Sequence, residues 1–358
     1  MITENAQKVK NRNFALDIVR VLACLLVVWQ HSSELYYISP QGEVVREHST
    51  YLIGIIDSVA RTAVPLFVMI SGYFLLPMKD TFTNFFKKRM NRILFPFIFW
   101  CIIYALFGVL TKGDTIQQCL INIAHIPVNY GTEVGHLWYV YMLIGLYLLV
   151  PILSPWLQSC TKKQLEVYLG IWIFTCFLPY IHLLFPSILG ECYWNASPLL
   201  YYFYGMAGYF ILGFYVKKYG TPKAIVSAII LIVGYIATVV IYNSRIATAE
   251  SIHSLELSWD YCAVNVAMMT LGIFGLVTKI TYDGHSKFRS LLTDAATRGY
   301  GIYLGHIIIL TLLSPYIVNK WGSVVIEVPI LSVTVLILTY IGIRILSYLP
   351  KAKWWLGI

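Results

Sequence analysis

Arg20 and His31 stand eleven positions apart in an otherwise apolar run, L-D-I-V-R-V-L-A-C-L-L-V-V-W-Q-H from Leu16 to His31. At about 100° per residue, eleven positions return to within about 20° of the same helix face, about 16 Å further along the axis. One face therefore carries a guanidinium near one end and an imidazole toward the other. Imidazole titrates near neutrality and can take a proton from an attacking hydroxyl, so His31 is a candidate general base. The plainer alternatives are a core histidine bonded to a backbone carbonyl and an arginine snorkelling toward water. Asp17, three residues before Arg20, lies on the same side and can pair with it, which lowers the cost of burying both. Glu34, one turn beyond His31, either orients the imidazole or is an interfacial acid.

Other groups recur at helical spacing. K-K-R-M-N-R from Lys87 to Arg92 sets Lys88 beside Arg89, with Arg89 and Arg92 at i and i+3 on one face. Two guanidinium groups so placed can grip phosphate oxygens, although ordinary loop charge explains the same cluster. In V-P-L-F-V-M-I-S-G-Y, Pro65, Ser71 and Gly72 fall where a helix kinks or packs closely on a neighbour. G-H-L-W-Y puts His136 beside Trp138 and Tyr139, where membrane aromatic belts sit by default. G-I-Y-L-G-H sets Tyr303 and His306 one turn apart, as site residues or as a satisfied core pair. No P-loop, dinucleotide fingerprint, zinc signature or nucleophile elbow occurs, so no metal and no permanently bound cofactor is expected.

The elements that must position these groups are membrane helices. Of 358 residues, 58% are hydrophobic and only 12% charged, with a mean hydropathy of +0.71. A soluble domain carries about twice that charged fraction, so the composition excludes a soluble enzyme and leaves no room for a large soluble domain. Ten apolar spans are expected, near 14–36, 51–76, 93–110, 137–157, 165–185, 199–216, 224–242, 261–280, 299–317 and 324–349, the fourth weakened by Pro151 and Pro155. The fold class that follows is all-α, a polytopic helical bundle, with residues 1–358 as one domain. The net charge of +9 sits in short loops, which speaks for topology and against a nucleic-acid footprint. With the N-terminus inside, 19 of the 26 Lys and Arg fall in the tail and even-numbered loops and 4 in the opposite loops. That bias places both termini in the cytoplasm. The basic residues before the first span resemble a signal peptide, but that span exceeds 20 residues with no small-residue cleavage site, so it is expected to stay as an anchor. The seven cysteines show no CxxC pair; Cys119 and Cys192 both fall in expected outer loops and are candidates for a disulfide.

Taken in order, L-D-x-x-R-x-x-A with His31, P-L-F-x-x-x-S-G-Y, R-x-x-R with Pro96, H-L-W-Y with Pro151, and I-Y-x-x-H resemble the membrane acyltransferase-3 family over essentially the whole chain. The stretch Y-Y-F-Y-G-M-A-G at Tyr201–Gly208 is similar to the branch containing the enterobacterial common antigen O-acetyltransferase. The resemblance implies transfer of an acyl group, usually acetyl, from cytoplasmic acyl-CoA to a hydroxyl of a cell-envelope glycan or lipid-linked saccharide, by a multi-pass protein of the inner (plasma) membrane. It marks Arg20 and His31 as the essential pair and puts Lys88, Arg89 and Arg92 on the acyl-CoA side. Asp17, Glu34, Ser71, Tyr303 and His306 are supporting candidates. The rival readings are a transporter or flippase using the same polar face as a path, and a sensing or anchoring module without catalysis.

Overall fold

The computed structural model describes residues 13–128, 134–187, 199–282 and 286–358. It is helical throughout, and the described residues hold no strand beyond one antiparallel bridge between Ile38 and Val44. In chain order the helices are α1 (Phe14–Tyr37), α2 (His48–Asp57), α3 (Ala63–Leu75), α4 (Phe82–Thr111), α5 (Ile116–His125), α6 (Trp138–Ser159), α7 (Lys162–Thr175) and α8 (Leu178–Leu184). They continue as α9 (Ala207–Tyr219), α10 (Ala224–Arg245), α11 (Ile252–Leu255), α12 (Val264–Val277), α13 (Lys287–Thr297), α14 (Gly299–Ile317), α15 (Val324–Leu346) and α16 (Ala352–Trp355).

Among the described residues, eight helical stretches are long and apolar enough to cross a bilayer, and a ninth if Ile252–Trp259 and Val264–Val277, bent by 42°, form one span. Ten were expected from hydropathy. The difference lies at 199–216, where the helix is only the 13-residue α9, about 20 Å long and too short for a hydrocarbon core of about 30 Å. Leu200 at φ 55° and Gly205 at φ 103° turn the preceding chain out of helical geometry. Two boundaries also shift. α2, a short 3-10 turn and α3 run together as one span, Asp57 and Arg61 included. α4 begins at Phe82, so Lys88, Arg89 and Arg92 lie on the spanning helix itself and not in a loop before it. α6 runs through both Pro151 and Pro155 unbroken, as spanning helices commonly do. Cys192 lies outside the described residues, and with it the Cys119–Cys192 pairing.

α1 starts with Asn13 capping it through a bond from the Leu16 amide at 3.2 Å. It sits inside the bundle, packed by α3, α13, α14 and α15, with Leu16, Val19, Ala23 and Val27 in the main core. Small residues bring helices close. A Cβ on Gly72 of α3 would lie 1.8 Å from the Phe210 carbonyl oxygen of α9, so this crossing exists only because position 72 has no side chain. α10 shows the opposite surface: Ile225, Ile229, Ile232 and Ile236 point outward, as an apolar face meeting lipid does. Glu327 of α15 is buried but takes bonds from Tyr36, Asn319 and Trp321. That carboxylate is a structural anchor for the end of α1.

Candidate active site

Each end of α1 carries a polar cluster that faces its own cavity. At the starting end, Arg20 donates to Asp17 Oδ1 at 2.9 Å, the pair their spacing predicts. Asp17 is fully buried, and Thr293 of α13 donates its hydroxyl to the second carboxylate oxygen at 3.3 Å. A carboxylate held on both oxygens cannot turn, so it fixes the guanidinium, whose Cζ lies 4.8 Å from the Phe74 ring centre. Beyond Arg20 opens a cavity of about 380 Å³ whose lining includes Arg89, Arg92, Ser71, Tyr139 and Tyr303. Three arginines from α1 and α4 converge there, and no Asp or Glu side chain is in the lining. Such a concave, basic, partly aromatic surface concentrates anions. Ser71 turns its hydroxyl back to the Phe67 carbonyl at 2.9 Å. Lys88 stands outside this cavity, with its ammonium 3.3 Å from Asp80 and most of its side chain exposed.

At the far end His31 Nδ1 lies 2.9 Å from Glu34 Oε2. An ionised carboxylate only accepts, so Nδ1 carries a proton, and in the neutral ring Nε2 keeps its lone pair. Glu34 thus contacts the imidazole directly, as a residue that orients the ring must. Two further histidines come from other helices. His136, in the 3-10 turn ahead of α6, places Nδ1 2.8 Å from the Val134 carbonyl, and His306 of α14 places Nδ1 2.6 Å from the Tyr303 carbonyl. Carbonyls only accept, so the neutral His306 ring holds the same tautomer as His31, while His136 also faces the Leu304 carbonyl from Nε2 at 3.5 Å. The three ring centres are 6.1 Å (His31–His136), 5.4 Å (His31–His306) and 5.1 Å (His136–His306) apart. His306 is fully buried, and its Nε2 has no partner among the described residues.

His31, Glu34 and His136 line a second cavity of about 720 Å³ together with Arg61, Glu256 and Asp260. Trp138 and Tyr261, stacked with centres 5.7 Å apart, and Trp259 give it flat apolar walls. Between the two cavities stands a thin aromatic wall. Tyr139 and Tyr303 line the basic side with ring centres 5.2 Å apart. The Tyr303 ring lies 5.6 Å from His136 and 6.1 Å from His306, and its hydroxyl donates to the His136 carbonyl.

Several of these residues were not singled out as site candidates on the sequence. Arg61 donates to Asp57 at 2.5 Å and to the Tyr37 hydroxyl at 3.2 Å, and its Cζ lies 3.9 Å above the Trp259 ring. Glu256 stands 3.9 Å from the same guanidinium and accepts from Tyr37. The signal was available in part: Asp57 and Arg61 stand four apart in an apolar span, much as Asp17 and Arg20 stand three apart. Glu256, Trp259 and Asp260 lie in a turn and an irregular connection, where no periodicity points to them.

The model of a family described as an acyltransferase domain matches residues 13–344. Among curated proteins, a serine/alanine racemase of Enterococcus gallinarum is similar, 30% identical over 177 residues, which is 45% of this chain and 22% of the racemase. The chain therefore spans about a fifth of that relative's length. No solved structure matches.

Proposed function

Since the chain belongs to the acyltransferase-3 family, we propose that it is a membrane O-acyltransferase. It moves an acyl group, acetyl first, from acyl-CoA to a hydroxyl of a cell-envelope or lipid-linked saccharide. One observation carries this reading: a single helix presents Arg20 to a basic cavity and His31 to a mixed-charge, aromatic one, with an aromatic wall between. Acyl-CoA brings phosphates, which suit Arg89 and Arg92. A saccharide brings hydroxyls and flat apolar ring faces, which suit Glu256 and Asp260 beside Trp138 and Trp259.

In the reaction, His31 Nε2 takes the acceptor's hydroxyl proton as the oxygen attacks the thioester carbonyl. The carbon–sulfur bond breaks, and the imidazolium returns the proton to the departing thiolate, so His31 ends as it began. Glu34 holds the ring in the required tautomer and supports the imidazolium that forms. For the thioester to reach His31, Tyr139 and Tyr303 must swing aside. A two-carbon acyl group asks least of that motion, which supports acetyl over bulkier groups. The 19-to-4 bias of basic residues supports placing the basic cavity toward the cytoplasm, where acyl-CoA is held, in the inner (plasma) membrane.

The test is an assay of purified protein in vesicles with radiolabelled acetyl-CoA and a saccharide extract of the envelope. Ester-linked label on the saccharide is the expected outcome. Label that crosses the membrane without forming an ester refutes the enzyme and favours the transporter.

A further inference from the structure

A third cavity, of about 540 Å³, opens at the basic end beside the first, and Thr297 lines both. It is formed by the end of α15 and by the C-terminal segment, which folds back over the bundle. There the Gly301 amide donates to the Gly357 carbonyl at 3.1 Å, and Trp355 packs on Phe99 with ring centres 4.9 Å apart. Trp354 likewise meets Phe95, at 5.6 Å, so α16 lies against α4, the helix that carries Arg89 and Arg92. The cavity lining holds three cations, Arg298, Lys351 and Lys353, and no Asp or Glu side chain. Arg298 is committed to the wall, bonded to Asp294 at 2.8 Å and to the Ser347 hydroxyl at 3.3 Å. Lys351, held at φ 56°, and Lys353 line the same cavity, and neither ammonium group makes an ion pair among the described residues. Two aromatic rings stand open beside them, Tyr348 at 79% and Trp354 at 54% exposure.

From this arrangement we propose that the third cavity is a nucleotide subsite, taking the adenosine 3′,5′-bisphosphate end of the acyl donor. The assignment of the donor rests on the acyl-CoA reading above. The chemistry of the pocket stands apart from it: exposed aromatic faces stack a base, and paired lysines hold a phosphate monoester. The first cavity is lined deep in the bundle by Tyr139 and Tyr303 and suits the acyl–pantetheine arm, with Arg89 and Arg92 on the diphosphate. The adenine and the 3′-phosphate then need a neighbouring surface that is both basic and aromatic. The shared Thr297 sets the third cavity directly beside the first.

The probe is adenosine 3′,5′-bisphosphate, bound to the full-length protein in nanodiscs and measured by calorimetry, a readout that needs no acyl transfer. The wild type should bind it at least about tenfold more tightly than adenosine 5′-monophosphate. The Lys351→Ala/Lys353→Ala double variant should lose that difference, and Trp354→Leu should weaken both ligands alike. Lys287→Ala, an exposed cation elsewhere on the chain, should change neither. A wild type that does not bind the probe overturns the proposal. So does a double lysine variant that still discriminates the two nucleotides, which would make these residues interfacial anchors. If the probe binds as expected but no acetyl leaves acetyl-CoA, the subsite stands and the transferase reading falls. If acetyl transfer proceeds and the double variant leaves the KM for acetyl-CoA unchanged, the transferase stands and the subsite falls.

Discussion

Replacing His31 by glutamine tests the mechanism at its centre. Glutamine keeps a group of similar length that can still meet Glu34, now through its amide N–H, but it cannot take a proton at neutral pH. His31 Nδ1 is held by Glu34 at 2.9 Å while Nε2 keeps a lone pair beside a large cavity. If that lone pair removes the acceptor's proton, its loss costs the general-base contribution, about 10²- to 10⁴-fold. At 1.36 kcal/mol per tenfold this is about 3 to 5 kcal/mol of barrier. The assay is acetyl transfer in vesicles, with acetyl-CoA binding measured in parallel. Turnover should fall at least about a hundredfold while acetyl-CoA binding holds, because the basic cavity lies at the other end of α1. The wild type should also lose turnover on acidification, since a protonated ring has no lone pair to offer. A folded His31→Gln protein with near-normal transfer refutes the reasoning and makes His306, whose Nε2 is buried and unpartnered among the described residues, the next base to test.

Arg89→Ala with Arg92→Ala should raise the KM for acetyl-CoA at least about tenfold, and lysine at either position should restore only part, because it lacks the fork. Lys88→Ala, outside the cavity and beside Asp80, should change that KM little, and an effect as large as the arginines' would place the donor elsewhere. Gly72→Ala should lower the melting temperature in detergent, since its Cβ would meet the Phe210 carbonyl at 1.8 Å and overpacking costs about 1–3 kcal/mol; an unchanged melt would show that α3 and α9 separate freely. A cysteine at Lys88 should label only from the cytoplasmic face, and labelling only from outside would overturn the orientation and the donor side with it.

What the sequence alone determined is what depends on one helix at a time. Hydropathy is a local property, and it located eight of the ten expected spans as long helices of the described structure. The exceptions were local too: 199–216 scores as apolar, but a turn near Gly205 leaves only α9, and 261–280 needs the bent stretch before it to make a span. The pairing of Asp17 with Arg20, and the placing of Arg20 and His31 on one face, follow from helical period and reappear as a 2.9 Å bond and two facing cavities. Only the tertiary structure decided the rest. His31, His136 and His306 are separated by more than a hundred residues at each step, and no period relates side chains on different helices. Their convergence depends on how α1, α6 and α14 cross, and contacts such as Gly299 of α14 against Cys24 of α1 are part of that packing. For the same reason only the Asp57–Arg61 spacing of the Arg61–Trp259–Glu256 cluster was legible in the sequence. A charge inside a bilayer announces that it must have a partner, because leaving it unpaired is too costly; the choice of partner belongs to the fold.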